Sequence, residues 1–241
     1  MKGMNSGFYN AAVQMAMGSV QDMEIHTENL ANSTMPGYKR LEASHPAFAD
    51  VLDAEVGSVE DPAGSISINH NQGALRSTGR SLDFAIEGDG FFVVSDGSRD
   101  YLTRNGHFRI SSDGAIVNSL GMAVQTTAGD FRIPHGVDAA QLEIDDGFNL
   151  RAGGKVIGTL KIEAVADPSA LDQAGTTLFM NNGAERADIE CKVLNGYLEQ
   201  SNTTVFEEMV GMMTTMRNYE ACQKMLQTVD DAEEKMMSKL V

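Results

Sequence analysis

Both ends of this sequence carry apolar residues at alternating steps of four and three. Such a stripe folds stably only as a helix with a partner to cover it. At the N-terminus the stripe runs Tyr9, Val13, Ala16, Val20, Met23, Thr27, Leu30. Asn5 or Ser6 is suited to cap it, and Asn32, Ser33, Pro36 and Gly37 stop it, so the pattern predicts a helix over about residues 6–31. At the C-terminus Val205, Met209, Met212, Met216 and Tyr219 step by 4, 3, 4, 3. Cys222 follows by only three, before Leu226, Val229, Glu233, Met236 and Leu240 resume the alternation. A missing residue in the period reads as a stammer, a local overwinding of a coiled coil. Asn202, Thr203 or Thr204 is suited to cap this helix, with Glu207 and Glu208 near its positive end.

Between the stripes the period changes. Short β-branched or aromatic runs recur at 82–87, 91–95, 100–104, 107–110, 122–126, 141–145 and 147–150, with a longer one at 155–165. Asp-Gly pairs at 89–90, 96–97, 113–114 and 146–147, with Asn105-Gly106, supply the positive φ angles of tight hairpins. This predicts an antiparallel β domain with no βαβ unit. Residues 36–75 are rich in turn formers and read as an extended linker with one or two short strands. The expected fold class is therefore α+β, with paired N- and C-terminal coiled-coil helices and a central antiparallel β domain. Its expected parts are 1–35 (N-terminal assembly helix), 36–75 (linker), 76–190 (β domain) and 191–241 (C-terminal assembly helix).

Several kinds of chemistry find no support. The formal charge is −16, of which residues 41–190 carry −13, and nucleic acid requires a basic face. Cys191 and Cys222 lack metal spacing, and the five histidines are dispersed. Gly88-Asp89-Gly90 and Ala152-Gly153-Gly154-Lys155 have neither phosphate-loop spacing nor a following helix. Asp145-Asp146-Gly147 lacks the closing glutamate of a calcium loop, and no serine sits in a nucleophile elbow. The residues thus point to no catalytic, metal or cofactor site and to no small-molecule substrate. No run approaches a membrane span, and polar residues interrupt the first 21 positions, so no cleaved signal peptide is expected.

Thirteen of the fifteen methionines lie in residues 1–35 and 209–237, and this adaptable side chain suits surfaces that pack several neighbours. The stripes fit a self-assembling subunit. They also fit a β-rich binding module with a helical dimerisation stalk.

Three stretches separate these readings. NLANSTMPGYKR at 29–40 contains Asn29, Leu30, Ala31 and Asn32, then a turn through Thr34, Gly37, Tyr38 and Lys39. Residues 72–117 contain Gly88, Asp89, Gly90, Phe91 and Phe92, then Thr103, Arg104, Asn105 and Gly106. Residues 196–213 contain Leu198-Glu199 and Ser201-Asn202 ahead of the second helix. Together, and in this order, they resemble the signatures of flagellar basal-body rod and hook proteins, most nearly the proximal rod type, with the distal type second. The sequence departs from that pattern at Met35-Pro36 and at Arg80.

The resemblance implies a structural, non-enzymatic subunit of the periplasm-spanning rod. It implies partners among other rod and hook subunits, further copies of itself and the flagellar export apparatus, with export that leaves the N-terminus uncleaved. It also implies an assembly interface on the terminal helices: Tyr9, Val13, Ala16, Val20, Met23, Leu30, Val205, Met209, Met212, Met216, Tyr219, Leu226, Val229, Met236 and Leu240.

Overall fold

The computed structural model describes residues 2–45, 65–134, 142–145, 147–188 and 190–238. The side chains of residues 2–8, 10, 233, 234 and 236–238 lie outside that description. The side chains of the stripe positions Glu233 and Met236, and all of Leu240 and of Asp146 in a predicted turn, therefore fall outside it. The predicted caps Asn5 and Ser6 lie inside the helix Lys2–Asn32, which begins before them, so neither caps it.

The chain divides into two compact units. One comprises Met1–Ala31, Leu41–Asn69 and Thr203–Val241, and the other Asn32–Arg40 and His70–Asn202. The first unit holds helix α1 (Lys2–Asn32, ending within the linker to the second unit), helix α2 (Val205–Ser238), and a ribbon of Leu41–Ser44 paired antiparallel with Ser65–Ile68. The start of α2 is a capping box. The Thr204 N–H donates to Glu207 Oε2 (3.1 Å), and the Glu207 N–H donates to Thr204 Oγ1 (3.3 Å).

The second unit is built from antiparallel strands. Its largest sheet has ten, with the main order Asp172–Gly175, Leu178–Met180, Asp100–Thr103, Phe91–Ser95, Ala123–Thr126, Ile116–Val117, Arg109–Ile110. Phe91 to Val94 are all buried, so this continuous apolar run is covered on both faces. The rings of Phe92 and Phe108 meet edge to face at 5.5 Å in the core. A three-stranded sheet (Leu142–Ile144, Asn149–Ala152, Lys155–Thr159) and two smaller pairs complete the unit. In one pair Phe84–Gly88 meets Cys191–Asn195, and in the other Leu75–Ser77 meets Tyr197–Glu199.

Some turn signals do what their residues suggest. Asp96-Gly97 joins the paired strands Phe91–Ser95 and Asp100–Thr103, and Asp113-Gly114 joins Arg109–Ile110 to Ile116–Val117. Asp89-Gly90 does not close a hairpin, because Phe84–Gly88 pairs with a strand a hundred residues on rather than with Phe91–Ser95. A dipeptide permits a reversal, whereas burial of the side chains decides which strands pair. For the same reason the run 155–165 breaks at Leu160: Lys155–Thr159 joins the three-stranded sheet, and Ile162–Val165 joins the large one.

The expected α+β class with paired coiled-coil helices is overturned. The described chain is mostly β, with α-helices only at its two ends, and those helices form no seam of interlocking apolar knobs. The buried positions of α1 are Ala11, Ala12, Gly18, Ser19, Ile25 and Asn29, and those of α2 are Glu208, Thr215 and Cys222. Apart from Ile25 these are small or polar residues, which cannot serve as the knobs that a heptad seam needs. In addition, α1 gives part of its inward face to the segment Leu41–His45. Asn29 Nδ2 donates to the Leu41 carbonyl and the Leu41 N–H donates to Asn29 Oδ1, both at 2.9 Å, while His45 Nε2 lies 2.8 Å from Asp22 Oδ1.

Candidate functional site

An assembly site is built from faces rather than from a cleft, so the question is which side of each helix is already occupied. On α2 the buried and half-buried residues are Glu208, Gly211, Met212, Thr215, Tyr219, Cys222, Leu226 and Val229. With Gly211 set aside they step by four and three without interruption, and the stammer disappears once Glu208 is taken as the first member. An acidic residue on the inward stripe was hidden from a reading that ranked positions by hydrophobicity. Its carboxylate is fully buried and doubly held, with Oε2 2.5 Å from His26 Nδ1 of α1 and Oε1 accepting from Thr203 Oγ1. Gly211 lets the helices approach here, since a Cβ on it would press into the His26 ring.

Over residues 205–216 the opposite side of α2 is apolar and uncovered. Val205, Phe206, Met209, Val210, Met213 and Met216 are exposed, Phe206 by 77% and Met209 by 50%. At about 100° per residue they occupy one arc of roughly 140°. Of the stripe expected from sequence, Val205, Met209 and Met216 lie on this outer arc, whereas Met212, Tyr219, Leu226 and Val229 are half-buried. Phe206, Val210 and Met213 were missed. Their signal was the apolar doublets 205–206, 209–210 and 212–213, which give a helix two apolar sides instead of one narrow seam.

On α1 the expected residues divide similarly. Tyr9 and Val20 are exposed, and Val13, Ala16, Met23 and Leu30 are half-buried. Met17, exposed by 54%, joins Tyr9, Val13 and Val20 on one side. Between Lys2 and Asp22 no residue is charged.

In the second unit the three signature stretches converge on one buried carboxylate. Glu199 is 0% exposed, Lys39 2% and Arg104 5%. Glu199 Oε1 accepts from Lys39 Nζ at 2.7 Å and from the Gly73 N–H at 3.0 Å, and Oε2 accepts from Arg104 Nη1 at 3.3 Å. The backbone carbonyl of Glu199 accepts from the Gly37 N–H at 2.8 Å, and Arg40 N–H donates to Asn202 Oδ1 at 2.7 Å. Lys39 Nζ also reaches the Asn71 carbonyl at 2.8 Å. Gly37 has φ +70°, and a Cβ there would sit 2.4 Å from the Asn105 nitrogen, so this crossing requires glycine.

The electrostatics follow from burial. Desolvation pushes the Lys39 pKa down, while the charge and hydrogen bond of Glu199 oppose it. The Arg104 guanidinium stacks 5.0 Å from the Phe91 ring centroid. His70 packs edgewise against Phe91 and Phe179 beside this cluster. Burial first, then the charges of Lys39 and Arg104, lower its pKa from 6.5 to about 4, with Asp167 opposing.

The remaining signature residues are structural members of the same unit or of α1. Asn29 is buried on the inward face of α1, while Ala31 is exposed and Asn32 half-buried at its end. Tyr38, Gly90, Phe91, Phe92, Thr103 and Gly106 are buried, Gly88 and Asn105 are half-buried, and Asp89 is exposed. Ser201 and Asn202 are half-buried ahead of α2.

Residues 85–152 match the family described as Flagellar hook protein FlgE/F/G D1 domain, and residues 194–239 match Flagellar basal body rod FlgEFG protein C-terminal. A Flagellar basal-body rod protein FlgG of Bacillus subtilis is 26% identical over 246 residues, covering 90% of this chain and 92% of the relative. A FlgG of Buchnera aphidicola from Acyrthosiphon pisum is 28% identical over 248 residues, covering 89% and 92%. A Flagellar basal-body rod protein FlgF of Caulobacter vibrioides is 26% identical over 238 residues, covering 91% and 92%.

Proposed function

The chain belongs to the flagellar basal-body rod and hook protein family and is a structural, non-enzymatic subunit of the rod; from that premise we propose that it assembles through the outer faces of its two terminal helices. The observation that carries this reading is the exposed apolar arc of α2 centred on Phe206, Met209 and Met213. Its inward arc is already filled by the His26–Glu208 contact and its neighbours, so the outer arc is free for another subunit. The charge-free stretch of α1 supports the same conclusion, because a helix that stays at a water surface normally presents a charged side.

Exposed methionines on both helices suit partners that differ slightly from one another, as other rod and hook subunits and further copies of this chain would. Contacts that repeat head to tail without closing a ring generate a helical axial structure. Delivery through the flagellar export apparatus completes the reading.

The test is quantitative mass spectrometry of detergent-washed hook–basal bodies. A few copies per basal body beside the other rod components is the outcome expected for the proximal position, and a severalfold larger number indicates the distal one. Absence from intact basal bodies would overturn the reading and favour a closed helical stalk carrying a β-rich binding module.

A further inference from the structure

The second unit is entered by residues 32–40, directly after α1, and left by residues 196–202, directly before α2. These two stems lie 160 positions apart in sequence, yet they are joined side chain to side chain by Lys39 and Glu199 and backbone to backbone by Gly37 and Glu199. The centre of the chain supplies Arg104 and the Gly73 N–H to the same carboxylate. Two cations and one backbone N–H thus share one buried carboxylate, and the backbone carbonyl of the same residue holds the Gly37 stem.

We propose that Glu199 is a positioning residue for assembly: its carboxylate latches the stem of α1 to the stem of α2, and the latch closes only when all three signature segments are in place. The reason is the charge count. With Glu199 present, Lys39 and Arg104 have a buried counter-charge. Before the C-terminal segment arrives, closing the same pocket would bury two cations with none, and that arrangement is strongly disfavoured. The stem after α1 and the segment 70–75 therefore settle last, together with the stem of α2. The latch rests on the rod reading only for its consequence, which is that a subunit whose stems are unlatched does not present its two helices for docking.

The experiment uses the full chain with Glu199→Gln, which keeps the acceptor for Gly73 but leaves the two cations uncompensated, and with Glu199→Gln combined with Lys39→Met, which returns the cluster to its native net charge. Hydrogen exchange of the purified monomer is expected to rise at least about tenfold across residues 33–40 and 71–75 in Glu199→Gln, with the strand Phe91–Ser95 unchanged, and to fall most of the way back in the double variant. Incorporation into basal bodies is expected to follow the same order. A uniform rise that includes Phe91–Ser95, or no rise at the stems, would overturn the latch. So would loosened stems with wild-type incorporation, or a double variant no better protected than the single one. Absence of the wild-type chain from basal bodies would remove the rod reading, while the exchange comparison would still decide the latch.

Discussion

Phe206→Asp separates an outward surface from a core. Phe206 is 77% exposed in the isolated chain, so its replacement removes almost no burial there. Unfolding free energy should change by no more than about 0.5 kcal/mol, the usual range for surface substitutions. In the assembled rod the account has this ring covered by a neighbour. Losing a buried Phe then costs roughly 1.5–3 kcal/mol per contact, and leaving an unpaired carboxylate in its place adds more. At about 1.4 kcal/mol per decade, the ring alone corresponds to a roughly 10- to 100-fold weaker docking step. The assay pairs urea denaturation of the monomer with basal-body incorporation in cells carrying only the variant. Cys222→Asp is the control on the inward arc, because Cys222 is 2% exposed and a carboxylate there should destabilise the monomer itself by several kcal/mol. Two results would refute the reasoning: Phe206→Asp incorporating like wild type, or its monomer losing more than about 1 kcal/mol.

Two further predictions concern buried polar groups. Glu208→Ala removes both the His26 and the Thr203 contact and should cost the first unit about 2–4 kcal/mol; a cycle with His26→Ala should show coupling of about 0.5–3 kcal/mol, and additive losses would mean that the pair does not interact. For His70 the sign follows from its lowered pKa: the unfolded chain takes up the proton near pH 6.5 and the folded chain only near 4, so the contribution is constant above 6.5 and stability falls as pH drops through that window. After allowance for solvent screening at a partly exposed ring, the loss should be on the order of 1–2 kcal/mol. It should vanish in His70→Gln when denaturation midpoints at pH 7 and pH 4.5 are compared, and an equal loss in that variant would assign the effect to other groups.

The sequence made some of these features legible and concealed others for identifiable reasons. Strand runs such as FFVVS and turns such as Asp96-Gly97 were readable because their signals are local. The two terminal helices were readable from their period. Their phase was not, because the inward faces are lined by Gly18, Ser19, Asn29, Glu208 and Thr215, residues that a hydrophobic stripe passes over. Large apolar residues marked the outer side instead, with the result that the predicted seam on α2 falls on the border between its two arcs. The latch shows a different limit. Lys39, Arg104 and Glu199 each stood inside a recognisable signature, but nothing local to any of them records that the three meet.

The central claim is that the outer arcs of α1 and α2 are covered in the rod, and methionine oxidation footprinting reads it without altering the chain. Met17, Met209, Met213 and Met216 are exposed in the free chain and report directly on those arcs. The account predicts that all four oxidise readily in the purified monomer and become strongly protected in intact hook–basal bodies. Oxidation at the monomer rate in intact basal bodies would contradict it, and would move the assembly surface away from the terminal helices.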